Sequence, residues 1–137
     1  MRVLVCGDRN WTNYKRICQV LATLDIDTII HGNADGVDKL AGRYALEHHI
    51  KIDKPPTEAY PFGGYPAHWE TFGRAAGPIR NRQMLLEGKP DLVVAFHNYI
   101  ENSKGTANML KQANEAHVPN LLATSHGVKN DYVARNS

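Results

Sequence analysis

Thr28-Ile29-Ile30-His31-Gly32-Asn33-Ala34-Asp35-Gly36-Val37-Asp38 is the stretch on which the reading of this chain turns. Thr28, Ile29 and Ile30 make a short strand, two glycines four residues apart reverse the chain, and Val37, Ala41, Tyr44 and Ala45 then recur at helical spacing. Strand, glycine turn and helix together form an arrangement in which backbone N–H groups and the positive end of a helix dipole meet an anion. The glycines let a phosphate or ribose lie against the turn without meeting a Cβ. The plainer reading is that Gly32 and Gly36 only permit the reversal.

The pattern repeats on either side. Residues 3–6 form a continuous apolar run ended by Gly7, as expected of a parallel strand covered on both faces. Thr12 or Asn13 can cap a following helix with Ile17, Val20, Leu21 and Leu24 on one stripe. Residues 50–52 suggest a short third strand. Residues 54–66, with four prolines and Gly63-Gly64, read as an extended connection. Trp69, Phe72 and residues 75–86 return to helical composition, with Pro78 tolerable near a helix start. Leu92 to Phe96 is the clearest buried strand, 98–104 is polar and loop-like, and Ala107, Leu110, Ala113 and Asn114 have helical spacing. A last strand is expected at residues 120–123. The tail, 124–137, shows little periodicity. Strands alternating with helices predict an α/β fold with a doubly wound, mainly parallel sheet and helices on both faces. Ligands in such sheets collect at the carboxyl ends of the strands, where the winding reverses.

A chain of 137 residues is the size of one domain, here placed at 1–123 with 124–137 as a tail. The 16 Lys and Arg against 14 Asp and Glu leave a net charge of +2. That balance is far from the basic excess of a protein that lives on duplex DNA, and it points to a small anionic partner. No apolar stretch approaches the ~20 residues that span a bilayer, and the N-terminus enters a strand at once without a signal-peptide pattern, so the expected address is cytoplasmic. Cys6 and Cys18 are expected to pack as small hydrophobes rather than to form a disulfide.

Two further segments carry polar chemistry. Lys104-Gly105-Thr106 offers an ammonium, a bare backbone and a hydroxyl at a helix start, which suits one phosphate. Gly77-Pro78-Ile79-Arg80-Asn81-Arg82 places two guanidinium groups two residues apart, so only one is expected to face a site, and Arg80 with Asn81 is favoured for that role over plain surface charge. The Gly32 turn has neither the Lys and Ser/Thr spacing of a Walker A loop nor the usual glycine pattern of a dinucleotide dehydrogenase. The 7 histidines include no zinc pattern, and neither a metal nor a cofactor is expected. His31 and His97 follow strands and are read as satisfied structural histidines in preference to ligand contacts. Trp11, Trp69 and Tyr65 are candidates to stack on a base.

Residues 3–9, the turn 32–38, residues 69–84 with Gly73-Arg74-Ala75-Ala76-Gly77-Pro78-Ile79-Arg80-Asn81-Arg82, the strand 91–96 and Lys104-Gly105-Thr106-Ala107 together resemble the SLOG superfamily. Within it they resemble the YspA-like, YpsA-related group, over most of the chain up to Ala123. The resemblance implies a Rossmann-like fold that binds nucleotides or nucleotide derivatives. Relatives in the superfamily include the Lonely Guy phosphoribohydrolases, which cleave base from nucleoside 5'-monophosphates, and the DNA-processing protein A group, which binds single-stranded DNA. An Arg and a Glu are catalytic in the Lonely Guy branch. Arg80 lies in a segment similar to the Arg motif, whereas Asn108 stands at the position matched to the Glu, and an amide cannot stabilise an oxocarbenium-like transition state by charge.

The expected ligand-binding set is Gly7, Arg9, Gly32, Ala34, Asp35, Gly36, Asp38, Trp69, Arg80, Asn81, Lys104, Gly105 and Thr106. The leading expectation is a module that senses or sequesters a nucleotide or nucleotide-derived ligand such as a nucleoside phosphate or an ADP-ribose-like molecule. A nucleotide N-glycosidase using Arg80, Asp8 and Asp38 is the alternative. Single-stranded DNA binding is third, since the charge is modest and no basic run with interleaved aromatics is present. Trp69, Phe72 and Tyr65 are expected to leave an apolar patch that makes the protein a homo-oligomer.

Overall fold

In the computed structural model, which describes residues 1–133, the first strand, β1 (Arg2–Gly7), lies at the centre of a six-stranded sheet. The others are β2 (Thr28–Ile30), β3 (Lys51–Ile52), β4 (Leu92–Phe96), β5 (Asn120–Ala123) and β6 (Val128–Asn130). Their order is β3-β2-β1-β4-β5-β6, with every neighbouring pair parallel except β5 and β6. The chain winds outward from β1 through β2 to β3. It then crosses back to lay β4 on the other side of β1, with Val3 opposite Leu92 and Gly7 opposite Phe96. The carboxyl ends of β1 and β4 therefore flank the point where the winding reverses, the position at which such sheets leave a crevice.

The described residues form five α-helices, α1 (Tyr14–Leu21), α2 (Val37–Glu47), the single turn α3 (Trp69–Phe72), α4 (Ala76–Gly88) and α5 (Gly105–Glu115), of which all but α3 bury side chains against the sheet. Successive strand side chains point to opposite faces, so β1 supplies two cores. Val3 and Val5 join Ile17, Leu21, Ile29, Ala41 and Phe96 beneath α1 and α2. Leu4 and Cys6 join Met84, Val93, Met109 and Leu110 beneath α4 and α5. Val3, Leu4 and Val5 have no exposed surface, and burial of each such side chain contributes about 1.5–3 kcal/mol. The helices lie on both faces, in the mixed α/β arrangement that the alternating pattern predicts.

Local chemistry sets the element ends. Asn13 caps α1 by accepting the Arg16 N–H at 3.1 Å, as one of the two expected caps. The helix stops at Leu21, where Thr23 turns its hydroxyl onto the Val20 carbonyl at 2.6 Å. Leu24, expected on the helical stripe, thus follows the helix but still packs against the same core. Pro78 occupies the first turn of α4, where its missing N–H has no intrahelical partner to lose. Residues 53–68 contain no strand or α-helix. They are fastened to the sheet by Tyr65, whose hydroxyl donates to Asp53, and by the Arg2–Asp53 ion pair at 3.0 Å.

The segment after residue 123 departs from the expected aperiodic tail. Thr124 closes a tight turn by accepting the Gly127 N–H at 3.0 Å, and β6 then pairs antiparallel with β5. All three β6 residues are exposed, so no alternation of apolar and polar side chains marks this strand in the sequence. Residues 134–137, the rest of that expected tail, lie outside the described residues.

Candidate functional site

A cavity of about 640 Å³ opens at the winding reversal. Gly7, Asp8 and Arg9 reach it from the end of β1, Ala34 and Asp38 from the β2–α2 side, and Trp69, Arg80 and Asn81 from α3 and α4. Lys104, Gly105 and Thr106 complete the wall from the start of α5. Eleven of the residues expected from the sequence thus meet around one space, although they are scattered over about a hundred positions of the chain.

Gly32, Asp35 and Gly36 are not among the lining residues. Asp38 explains why the first glycine turn is turned inward. Its Oδ2 accepts the N–H of Gly32 at 3.1 Å and of Ala34 at 3.3 Å. The Asn33 N–H goes to His31 Nδ1 and the Val37 N–H to the Asp8 carbonyl. Amides that could have faced a phosphate are therefore occupied by the turn's own carboxylate. Asp35 pairs outward with Lys39 at 2.8 Å. Gly36 has φ +73°, and a Cβ there would run into the backbone of Asp8 and Arg9, so its glycine serves the close packing of two turns.

The start of α5 is finished differently. Ser103 accepts the Thr106 N–H at 3.0 Å, yet no acidic residue occupies the first turn of the helix. A Cβ on Gly105 would meet nothing within 4 Å, so the turn is bare on its outer side. No salt bridge engages Lys104 or Arg9 among the described residues. The helix dipole and two cations are left to act on whatever enters the cavity.

Arg80 lies between these turns. It donates through Nη1 to the Gly32 carbonyl and at 3.4 Å to the Tyr65 carbonyl, and through Nε to Asn81 Oδ1 at 3.3 Å. Its partners are neutral oxygens, so its charge is not cancelled by a paired carboxylate. Arg82, by contrast, is exposed and outside the cavity. Asn81 is buried, and both ends of its amide are committed: Oδ1 accepts from Arg80 Nε, while Nδ2 donates to the Gly105 carbonyl at 3.3 Å and to Asn108 Oδ1 at 3.2 Å. These bonds hold Arg80 and the α5 turn in one geometry, and Asn81, expected as a ligand contact, lines the cavity.

Asn108, the position matched to a catalytic Glu, does not line the cavity. It accepts from Asn81 and from Gln112 at 2.7 Å. The α5 side chain that reaches the cavity one turn beyond Gly105 is Met109, an apolar thioether. No carboxylate of α5 faces the site. The acids that do are Asp8, whose Oδ1 accepts the Asn10 N–H at 2.9 Å, and Asp38. Burial pushes the Asp38 carboxyl above the ordinary carboxylate range, against the opposing pull of Arg80, His31 and its two N–H donors. Burial also pushes His31 below its usual value and raises the Cys6 thiol, which lines the floor of the cavity. A thiol raised by burial in this way is a poor nucleophile.

Of the three aromatics expected to stack on a base, only Trp69 stands in the wall, 58% exposed. Trp11 is 6% exposed in an edge-on contact with Phe96, and Tyr65, within the 54–66 connection, is 2% exposed. Tyr99, 72% exposed, joins Trp69 at the cavity. Asn102 and Ser103 also line it; like Tyr99, they fall in the polar segment read as a plain loop. Among the described residues no group of three His, Cys, Asp or Glu side chains is placed to hold a metal ion, and no helix is long and apolar enough to cross a membrane.

The model of the YspA, cpYpsA-related SLOG family matches residues 1–58, which contain β1, the inward-turned glycine loop and α2. The chain is similar to the "Gene 61 protein" of Mycobacterium phage D29, at 29% identity over 124 residues that cover 86% of this chain and 92% of that one. No solved structure matches the chain.

Proposed function

We propose that the protein binds a nucleotide or nucleotide-derived ligand in the cavity at the β1–β4 reversal, a reading supported by the match of residues 1–58 to the model of the YspA, cpYpsA-related SLOG family, which is compatible with nucleotide-related binding or processing. One observation carries this reading. A helix N-terminus without an acid, a bare Gly105, the cations Arg9, Arg80 and Lys104, and the exposed ring of Trp69 share one 640 Å³ space. The α5 turn and the cations suit phosphate, while Trp69 offers a flat apolar face for a base. The cavity is within the size range of ordinary small-molecule sites. With no carboxylate of α5 lining the cavity, the reading is a binding module that senses or sequesters its ligand.

Calorimetry against nucleoside mono- and diphosphates and ADP-ribose tests it. Binding by at least one member, weakened ~10-fold or more by Arg80→Ala, is expected. Silence from the whole panel at concentrations that reveal ~100 µM affinity overturns it.

A hydrolytic reading is favoured by one observation of its own. Asp38 is a buried carboxyl held toward its protonated form, and it shares the cavity with Asp8 and Arg80. N-glycosidase activity would appear as free base released from a nucleoside 5'-monophosphate. Release that survives both Arg80→Ala and Asp38→Asn counts against it. The exposed Trp69, Phe72 and Ile79 on α3 and α4 support homo-oligomerisation through that face. Light scattering showing a monomer at micromolar concentration removes that part.

A further inference from the structure

His31 and His97 each follow a parallel strand directly and each accept, through Nδ1, the N–H of the residue two positions on: Asn33 at 3.0 Å and Tyr99 at 2.9 Å. The rings differ at the other nitrogen. His31 Nε2 lies 2.7 Å from the Phe62 carbonyl, so both of its ring nitrogens are used inside the protein. His97 Nε2 has no hydrogen-bond partner among the described residues. The ring nitrogen that accepts carries no proton in a neutral imidazole, so the proton of His97 sits on Nε2. Every fully buried side-chain nitrogen or oxygen among the described residues has a partner; an unpartnered Nε2 must therefore be reached from outside. His97 is only 9% exposed and lines the cavity, which leaves the cavity as the place where this donor opens.

The surroundings indicate the acceptor. Lys104, Gly105 and Arg9 share the cavity with His97, and the connection that begins at His97 runs directly into the α5 turn. The two acids present already accept N–H groups of their own turns, Asp8 from Asn10 and Asp38 from Gly32 and Ala34. A further N–H among cations and a bare helix N-terminus calls for an oxygen that only accepts. We infer that His97 is a ligand-binding residue whose Nε2–H donates to a phosphoryl oxygen of a phosphate monoester seated between the end of β4 and the start of α5. This rests on the nucleotide reading and adds to it a contact and a phosphate class.

The test compares adenosine 5'-monophosphate, ribose 5-phosphate and adenosine by calorimetry on the wild-type chain, His97→Phe, His97→Gln and Arg80→Ala. Loss of a hydrogen bond to a charged group lowers affinity ~10- to 100-fold, and His97→Phe should show that loss with both phosphates and none with adenosine. His97→Gln keeps an N–H near the same place and should stay within ~3-fold of wild type. Phosphates bound by His97→Phe as tightly as by wild type, but lost in Arg80→Ala, overturn the inference and leave the nucleotide reading standing. An equal loss for adenosine moves the contact to the ribose and overturns the phosphate assignment. A wild-type chain that binds none of the probes removes both. If His97→Phe does not fold, ring-nitrogen NMR of the wild-type chain decides: the Nε2–H signal should shift on adding ribose 5-phosphate, and a ring that ignores a ligand seen to bind refutes the contact.

Discussion

The turn from β2 into α2 and the connection from β4 into α5 leave the same edge of the sheet, and each carries a histidine at the strand end and glycine at or before the helix start. In the first, Asp38 sits inside the turn as its built-in acceptor, and His31 spends both ring nitrogens on the protein. In the second no acid occupies the helix start, Gly105 is uncovered, and His97 keeps one nitrogen free of protein partners. One turn is chemically complete without a ligand; the other is not. Glycine content alone does not distinguish a turn that binds from a turn that packs. What distinguishes them is whether a carboxylate of the same chain reaches the amides first.

Substitution at the two glycines should separate the turns most sharply. Gly36→Ala forces a side chain to φ +73° and into the Asp8 and Arg9 backbone; a loss of ~3 kcal/mol or more in urea unfolding is expected. Next in size, Asp38→Ala strips two N–H groups of their acceptor and Arg80 of a neighbouring charge. A loss of ~2–3 kcal/mol is expected. At the open turn, Gly105→Ala should leave stability within ~1 kcal/mol, on the favourable side because alanine is the better helix former. The same change should weaken adenosine 5'-monophosphate ~10-fold, because the new methyl stands where an anion would approach the backbone. Equal destabilisation at Gly36 and Gly105 would erase the contrast.

The smallest effect is a pH dependence. Burial holds His31 below its ordinary value, so the unfolded chain takes up a proton near pH ~6.5 that the folded ring resists. Its contribution to stability is complete above that pH and is lost as the pH falls toward the depressed folded value. Asp38 acts with the opposite sign, since its raised carboxyl takes up a proton in the fold first and favours the fold as acidity increases. In denaturant midpoints measured from pH 7 to pH 5, His31→Gln should flatten the decline. A slope unchanged by that substitution would show that the closed turn does not keep the ring neutral.

Much of this arrangement was legible before the coordinates. Continuous apolar runs such as Leu92–Phe96 identify parallel strands covered on both faces, and the strand-helix alternation orders them into a doubly wound sheet. Residues two apart on a helix diverge, so Arg80 and Arg82 could not both face one site, and of the two only Arg80 lines the cavity. What escaped was the direction each turn faces. Asp38 was visible as a favourable charge near a helix start, but its hold on Gly32 and Ala34 depends on three-dimensional reach. Tyr65 and Trp69 are both aromatics near glycine and proline, and nothing in their spacing says that one is buried while the other faces solvent. Strand β6 escaped for a different reason: a fully exposed strand has no buried side to leave a periodic trace.

That last strand has a consequence for how copies of the chain meet one another. The rims of the sheet are β3, two residues long, and β6, three residues long and carrying Lys129 at its middle. Unpaired main-chain groups on a long flat rim invite neighbouring molecules to zip together into polymers, and rims this short, each carrying an exposed lysine, offer too few rungs. By folding back after Ala123, the chain covers the longer β5 margin with a poor template, which protects a crowded solution of this protein against β-type aggregation.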